Sequence, residues 1–182
     1  MLFRSDGQRY FPALLLKGDL DLIFNYLDLL PGVPHESVSR ERLYEDTIVV
    51  CASASHRLAR FKRVDIADLA RERWALSSIQ LLNVQRLQKA FHDRGLPPPQ
   101  TAIEARSLQL RLQAIATSNL LGYLPRRILK RAASLGLKEL PVPQVVWRRS
   151  VGVIYREGGY LSPAAKRFMD ILRNNSCVMT TT

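Results

Sequence analysis

Asp19 and Asp21 are the first residues in this chain whose type and spacing could do chemistry, because two nearby carboxylates are the raw material of general acid–base work. They sit at a turn and strand start in LKGDLDLIF, residues 16–24, with no histidine or third acid beside them. Accepting loose backbone N–H groups at that turn is the better account of the pair. The three histidines fall in a loop (His35), a basic segment (His56) and the polar side of a helix (His92), so a shared metal or triad would need the fold to collect all three. Cys51 and Cys177 lie 126 positions apart, which suggests neither a disulfide framework nor a metal cluster. Glycine-rich phosphate loops, G-x-S-x-G and H-E-x-x-H are absent from the sequence. No catalytic residue, metal or cofactor is assigned.

Two basic groups remain: Arg57, Arg60, Lys62 and Arg63, and then Arg126, Arg127, Lys130 and Arg131. Charge of this kind gives salt-sensitive, sequence-blind affinity for polyanions, and no helix-turn-helix pattern accompanies it. Specific DNA reading by this chain alone is therefore not expected. The formal charge of +11 implies attraction to anions of some kind. The 182 residues, 47% hydrophobic and 24% charged, are enough for one sizeable domain or two small lobes. The amino terminus lacks the layout of a secretory signal, and no run reaches the ~18 apolar residues of a membrane span. These features place the chain in the cytoplasm, away from membranes.

The elements that must position any site alternate between short apolar strands and amphipathic helices, the rhythm of an α/β protein with a largely parallel sheet. A short strand is expected at Leu2 to Arg4, a turn at Asp6-Gly7, and a short helix with Leu14 and Leu15 inward that ends at Gly18. LDLIF follows as a strand, and a loop with Pro31, Gly32 and Pro34 is expected from Asn25 to Arg42 before the Ile- and Val-rich ERLYEDTIVVCAS. Further on, Val84, Leu87 and Phe91 share one helix face, with Gly95 as the stop; Leu108, Leu112 and Ile115 make the stripe of the next helix. LLGYL is a strand, and Pro125 opens a helix with Ile128, Ala132 and Leu135 inward. Val151, Val153 and Tyr155 alternate in a last strand. Ser162-Pro163 then starts a helix with Ala164 or Ala165, Phe168, Ile171 and Leu172 inward, and a disordered tail is expected from 174 to 182.

The pieces LLKGDLDLIF, LYEDTIVVCASASHRLA (the usual form ends in HPLA), IADLARERWAL, LLGYLPRRIL and YLSPAAKRFMDIL occur in the order and spacing of one family. On these pieces the chain, to about Arg173, resembles the effector-binding region of LysR-type transcriptional regulators. The resemblance implies an α/β, two-lobed, periplasmic-binding-protein-like (type 2) fold with mostly parallel sheets flanked by helices. Lobe I would take residues 1–71 plus 148–173, and lobe II residues 72–147. Relative to the family, the winged helix-turn-helix, the linker helix and the first strand and helix of lobe I are missing, so lobe I is expected to be incomplete.

The resemblance further implies a small anionic organic effector bound in a cleft between the lobes. Carried over position by position, it points to Ser77, Ser78 and Gln80 after the strand WAL, Ser107 at the next helix start, and Gly122 and Tyr123 in LLGYLP. Capping explains the serines equally well, tight packing explains Gly122, and a core position with a satisfied hydroxyl explains Tyr123. Where many members carry a glycine pair before the L-P dipeptide, this chain has Ser118 and Leu120. The implied partners are the effector and further copies of the chain in a full-length regulator. A solute-binding receptor of a transport system is the alternative on the same fold, and an enzyme comes third.

Overall fold

The computed structural model describes residues 11–28 and 34–181. The strand expected at Leu2 to Arg4, the turn at Asp6-Gly7, and Pro31 with Gly32 lie outside those residues. In chain order the elements are α1 (Phe11–Lys17), β1 (Leu22–Tyr26), β2 (Val38–Ser53), α2 (Ile66–Leu69), β3 (Arg73–Leu76), α3 (Leu81–His92), β4 (Gln100–Glu104), α4 (Leu108–Ala116), β5 (Leu121–Pro125), α5 (Arg126–Arg131), β6 (Leu137–Glu139), β7 (Trp147–Arg156) and α6 (Pro163–Thr181). The chain divides into two compact units, unit 1 comprising Met1–Asp46 with Arg149–Thr182 and unit 2 comprising Thr47–Arg148. No helix among the described residues is long and apolar enough to cross a membrane.

In unit 1, β1 pairs antiparallel with β7, from Leu22 opposite Tyr155 to Tyr26 opposite Val151, and β7 neighbours β2. Strand alternation sends Ile23, Ile154 and Val38 to one face, where they pack with Phe11 and Leu15 of α1. Val153 faces the other way, onto Met169 and Leu172 of α6. Gly18, at φ +86°, ends α1 in a left-handed conformation, with Asp19 N–H bonded to Leu14 O at 2.9 Å. Ser162 Oγ accepts from Ala165 N at 3.2 Å to cap α6, and its hydroxyl donates to Asp21 at 2.6 Å. Asp21 therefore holds a cap in place. Gly152 is required where β7 passes β2, because a Cβ there would lie 1.9 Å from Glu41 O.

Where the strands leave unit 1, the Arg149 guanidinium donates to Asp46 Oδ2 at 2.7 and 3.2 Å, with both side chains 2% exposed or less. Tyr26 lies beneath it, its ring centroid 3.4 Å from the guanidinium carbon. Burial pushes the Tyr26 phenol up, and the guanidinium beside it works against that shift.

In unit 2 the strand order is β2-β5-β3-β4, with β6 on β2; β3, β4 and β5 run parallel, and β2 runs antiparallel to β5 and β6. One face carries Ile48, Val50, Trp74 and Tyr123 under Leu69 of α2 and Leu87 and Phe91 of α3. Trp74 and Phe91 meet edge to face at 6.2 Å. The opposite face carries Val49, Cys51, Ala75 and Leu124 under Leu112 and Ile115 of α4 and Leu129 of α5. Charge divides unevenly between the units. Unit 2 holds 17 Lys and Arg against 6 Asp and Glu, the rest of the chain 10 against 10, so the entire +11 belongs to unit 2.

Several expectations change. β1 runs on through Asn25 and Tyr26, and β2 begins at Val38, so the loop expected from Asn25 to Arg42 is shorter at both ends. The start of β2 was hidden by polar residues that find partners: Ser39 bonds Glu157, and Glu41 takes two bonds from Arg173 at 2.7 Å. In α6, Ala165 and Leu172 are buried as expected and Phe168 packs against the same cluster, but Met169 takes the inward place expected of Ile171, which is 47% exposed. That helix continues to Thr181 where a disordered tail was expected from 174, and Thr182 lies outside the described residues. The expected lobe boundary at 71 moves to 46, because residues 47–71 pair β2 with β5 and β6 and pack α2 onto the Trp74 core.

Two outcomes follow from this packing. Asp46→Ala strands a buried guanidinium and should lower stability by about 3–5 kcal/mol in urea unfolding, with much of the loss recovered in Asp46→Leu/Arg149→Met. A Cβ at Gly122 would lie 2.4 Å from Ile115 Cδ1 and 2.9 Å from Cys51 Sγ. Gly122→Ala should therefore cost about 1–3 kcal/mol. Ile115→Val removes the clashing methyl, so a double-mutant cycle should show the two changes to be less than additive.

Candidate functional site

Unit 2 prepares a site through its topology. The chain leaves β3 for α3 on one face of the sheet, whereas both neighbouring strands, β4 and β5, lead into helices on the other face. Connections that diverge in this way open a crevice beyond the carboxyl ends of parallel strands. The loops after β3 and β4 are held side by side there, since Leu76 is in register with Glu104 and Ala105 N–H donates to Leu76 O at 3.1 Å. Ser77 to Gln80 and Arg106 to Ser107 thus occupy adjacent corners of one edge.

The two corners are built alike. Buried Ser77 Oγ accepts from Gln80 N at 3.2 Å, with Ile79 N at 3.4 Å, and closes the first turn toward α3. Ser107 is exposed and is the N-cap of α4, accepting from Leu110 N at 3.2 Å. Each hydroxyl spends its oxygen on the backbone and keeps its proton to donate. Ser78 is half-buried, and its side chain makes no hydrogen bond within the described residues. Gln80 precedes α3 and accepts from Asn83 Nδ2 at 2.9 Å. The N–H groups of two helix starts, flanked by hydroxyls, suit a carboxylate or phosphate.

Of the six positions carried over from the family, the structure gathers Ser77, Ser78, Gln80 and Ser107 along this edge. It places the other two inside the core of unit 2, where the packing and satisfied-hydroxyl accounts of them apply. Gly122 is buried against Ile115 and Cys51, where any side chain would collide. Tyr123 is 4% exposed, and its hydroxyl donates to Val145 O at 2.7 Å. Ser118, in place of the usual glycine, donates to Ala114 O and accepts from Leu120 N at 3.2 Å, closing α4 by hydrogen bonds.

Other candidates resolve into structure. Buried His56 caps the turn at Arg57–Arg60, its Nδ1 accepting from Leu58 N at 3.1 Å. His56 Nε2 also lies 3.5 Å from Glu72, which Arg57 binds as well. His92 is exposed. Among the described residues no three His, Cys, Asp or Glu side chains form a metal-binding group. Burial pushes the Cys51 thiol up to about 12, so it stays protonated and unreactive at neutral pH.

One residue escaped the sequence reading. Arg111 occupies the same helical arc as Leu108, Leu112 and Ile115, and it is 2% exposed. A charged residue interrupting an apolar stripe at i+3 from Leu108 was the signal that could have revealed it.

Solved structures of other proteins share this fold. The regulatory domain of CcmR from Synechocystis PCC6803, in complex with 2-PG, is 20% identical, with a TM-score of 0.77 over 96% of this chain and 82% of that one. The effector binding domain of QuiR in complex with shikimate is 17% identical, with a TM-score of 0.72 over 98% and 81%. The C-terminal domain of a probable LysR family regulator from Rhodococcus sp. RHA1 is 22% identical, with a TM-score of 0.73 over 94% and 82%. No curated protein matches the chain in sequence. The family model for the LysR substrate binding domain matches residues 3–176, nearly the whole length, and the chain belongs to that family.

Proposed function

We propose that this chain is an effector sensor: it binds a small anionic organic molecule at the edge of unit 2 formed by Ser77, Ser78, Gln80 and Ser107. Its occupancy then biases an oligomeric regulator between arrangements that engage a promoter differently. The observation that carries the reading is the register of Leu76 with Glu104, which sets two serine-lined helix starts next to each other at the carboxyl end of the sheet. The surplus of cations in unit 2 supports an anionic effector, because the surrounding potential favours it. CcmR and QuiR, with which the chain shares its fold, have their regulatory domains in complex with small molecules, 2-PG and shikimate. By analogy the effector here is a small organic acid or phosphate.

Capping and ligand contact can be separated at Ser107. Aspartate caps a helix as well as serine does, yet its charge repels an incoming anion. Calorimetric screening of the whole chain against organic acids and phosphates should find a ligand. Ser107→Asp should keep thermal stability while weakening that ligand at least about tenfold, and Ser78→Ala should weaken it with no change in stability. Full affinity in both variants would remove this edge from the binding site.

A further inference from the structure

Among the described residues, Arg111 is a buried cation without a counter-ion. It is 2% exposed, its Nε is shielded from solvent with no hydrogen-bond partner, and among the described residues its side chain forms no ion pair. The groups that could neutralise it are unsuitable or occupied. The Cys51 thiol is protonated at neutral pH, and Glu139 holds Arg126 through two bonds of 2.7 Å. Burial pushes the Arg111 guanidinium down from its usual value, but arginine stays charged in proteins. Removing a charge from water with no compensating partner is among the most costly arrangements a fold can carry.

The position of Arg111 says where compensation can come from. Its N–H closes the first turn of α4 on Ser107 O at 3.3 Å, so Arg111 and Ser107 lie one turn apart on one side of the helix. Side chains on a helix lean toward its N-terminus, the direction in which Ser107 lies from Arg111. Above it the turn is open: Arg106, Ser107 and Gln109 are exposed, and Leu110 is 54% exposed. A buried cation beneath an exposed, capped helix start is one turn away from any anion that docks there.

We propose that Arg111 anchors an anion site in unit 2, taking the carboxylate or phosphate of the bound molecule as its missing counter-ion while Ser107 donates its hydroxyl. The inference rests on the effector reading above and adds to it a recognition residue from the second turn of α4.

The test uses the whole chain, with inorganic phosphate and shikimate as probes, each titrated at constant ionic strength against chloride while thermal unfolding is followed. The wild-type midpoint should rise with at least one probe, and the probe that acts tells phosphate from carboxylate. Arg111→Met should abolish the rise while unfolding no earlier than wild type in probe-free buffer, since it removes an uncompensated charge. Arg111→Lys, which keeps a cation, should retain part of the response. The surface cations are the same in every variant, so general screening cannot mimic this pattern. A wild-type midpoint unmoved by both probes, or an Arg111→Met response equal to wild type, overturns the inference. Loss of the response in Ser107→Asp but not in Arg111→Met would leave the effector site standing and remove Arg111 from it.

Discussion

The row Cys51, Gly122 and Ala75, in register across β2, β5 and β3, sets how closely α4 can approach the sheet. Three small side chains side by side leave a shallow trough, and Ile115 fills it so closely that even a methyl group on Gly122 would collide. Interiors packed to this density transmit position faithfully, because no void remains to absorb a shift. Seating Ile115 fixes the rotation and height of α4, and with them the direction of Ser107 at its start and Arg111 in its second turn. The candidate site depends on a contact made by none of its own residues.

The same arrangement explains why glycine and tyrosine in LLGYLP were legible as important but not as to kind. Their neighbours in sequence are apolar, and a strand buried on both faces offers no alternation from which to read orientation. Ser77 and Ser107 were legible because a serine before an apolar stripe has few other uses. The helices α3 and α4 were legible for a related reason, since each carries a stripe at helical spacing and a clear stop or cap. Arg111 was missed because the apolar residues around it completed the stripe without it.

Long-range partnerships were invisible. Asp46 and Arg149 are separated by 103 positions, and nothing near either residue hints at the other. The early half of β2 reads as polar loop because its polar residues Ser39 and Glu41 are satisfied across space by Glu157 and Arg173, not by local periodicity. The family resemblance gave the order of elements but misplaced the first crossing between units. It took the helical turn after β2 for the limit of a lobe, whereas residues 47–71 are committed to the Trp74 core.

The uneven charge division has a consequence for encounter. One unit is formally neutral and the other carries the whole surplus, so the molecule is electrically polar as well as basic. At physiological ionic strength its field decays over ~8 Å, too short to draw partners from afar but long enough to turn a nearby one. Polyanions will graze unit 2 far more often than unit 1, and on the proposed reading a small acid seeking the α3 and α4 helix starts competes with that crowd for the same attraction. Selectivity must then come from shape and from the buried edge of the site, since positive charge alone would admit every anion alike.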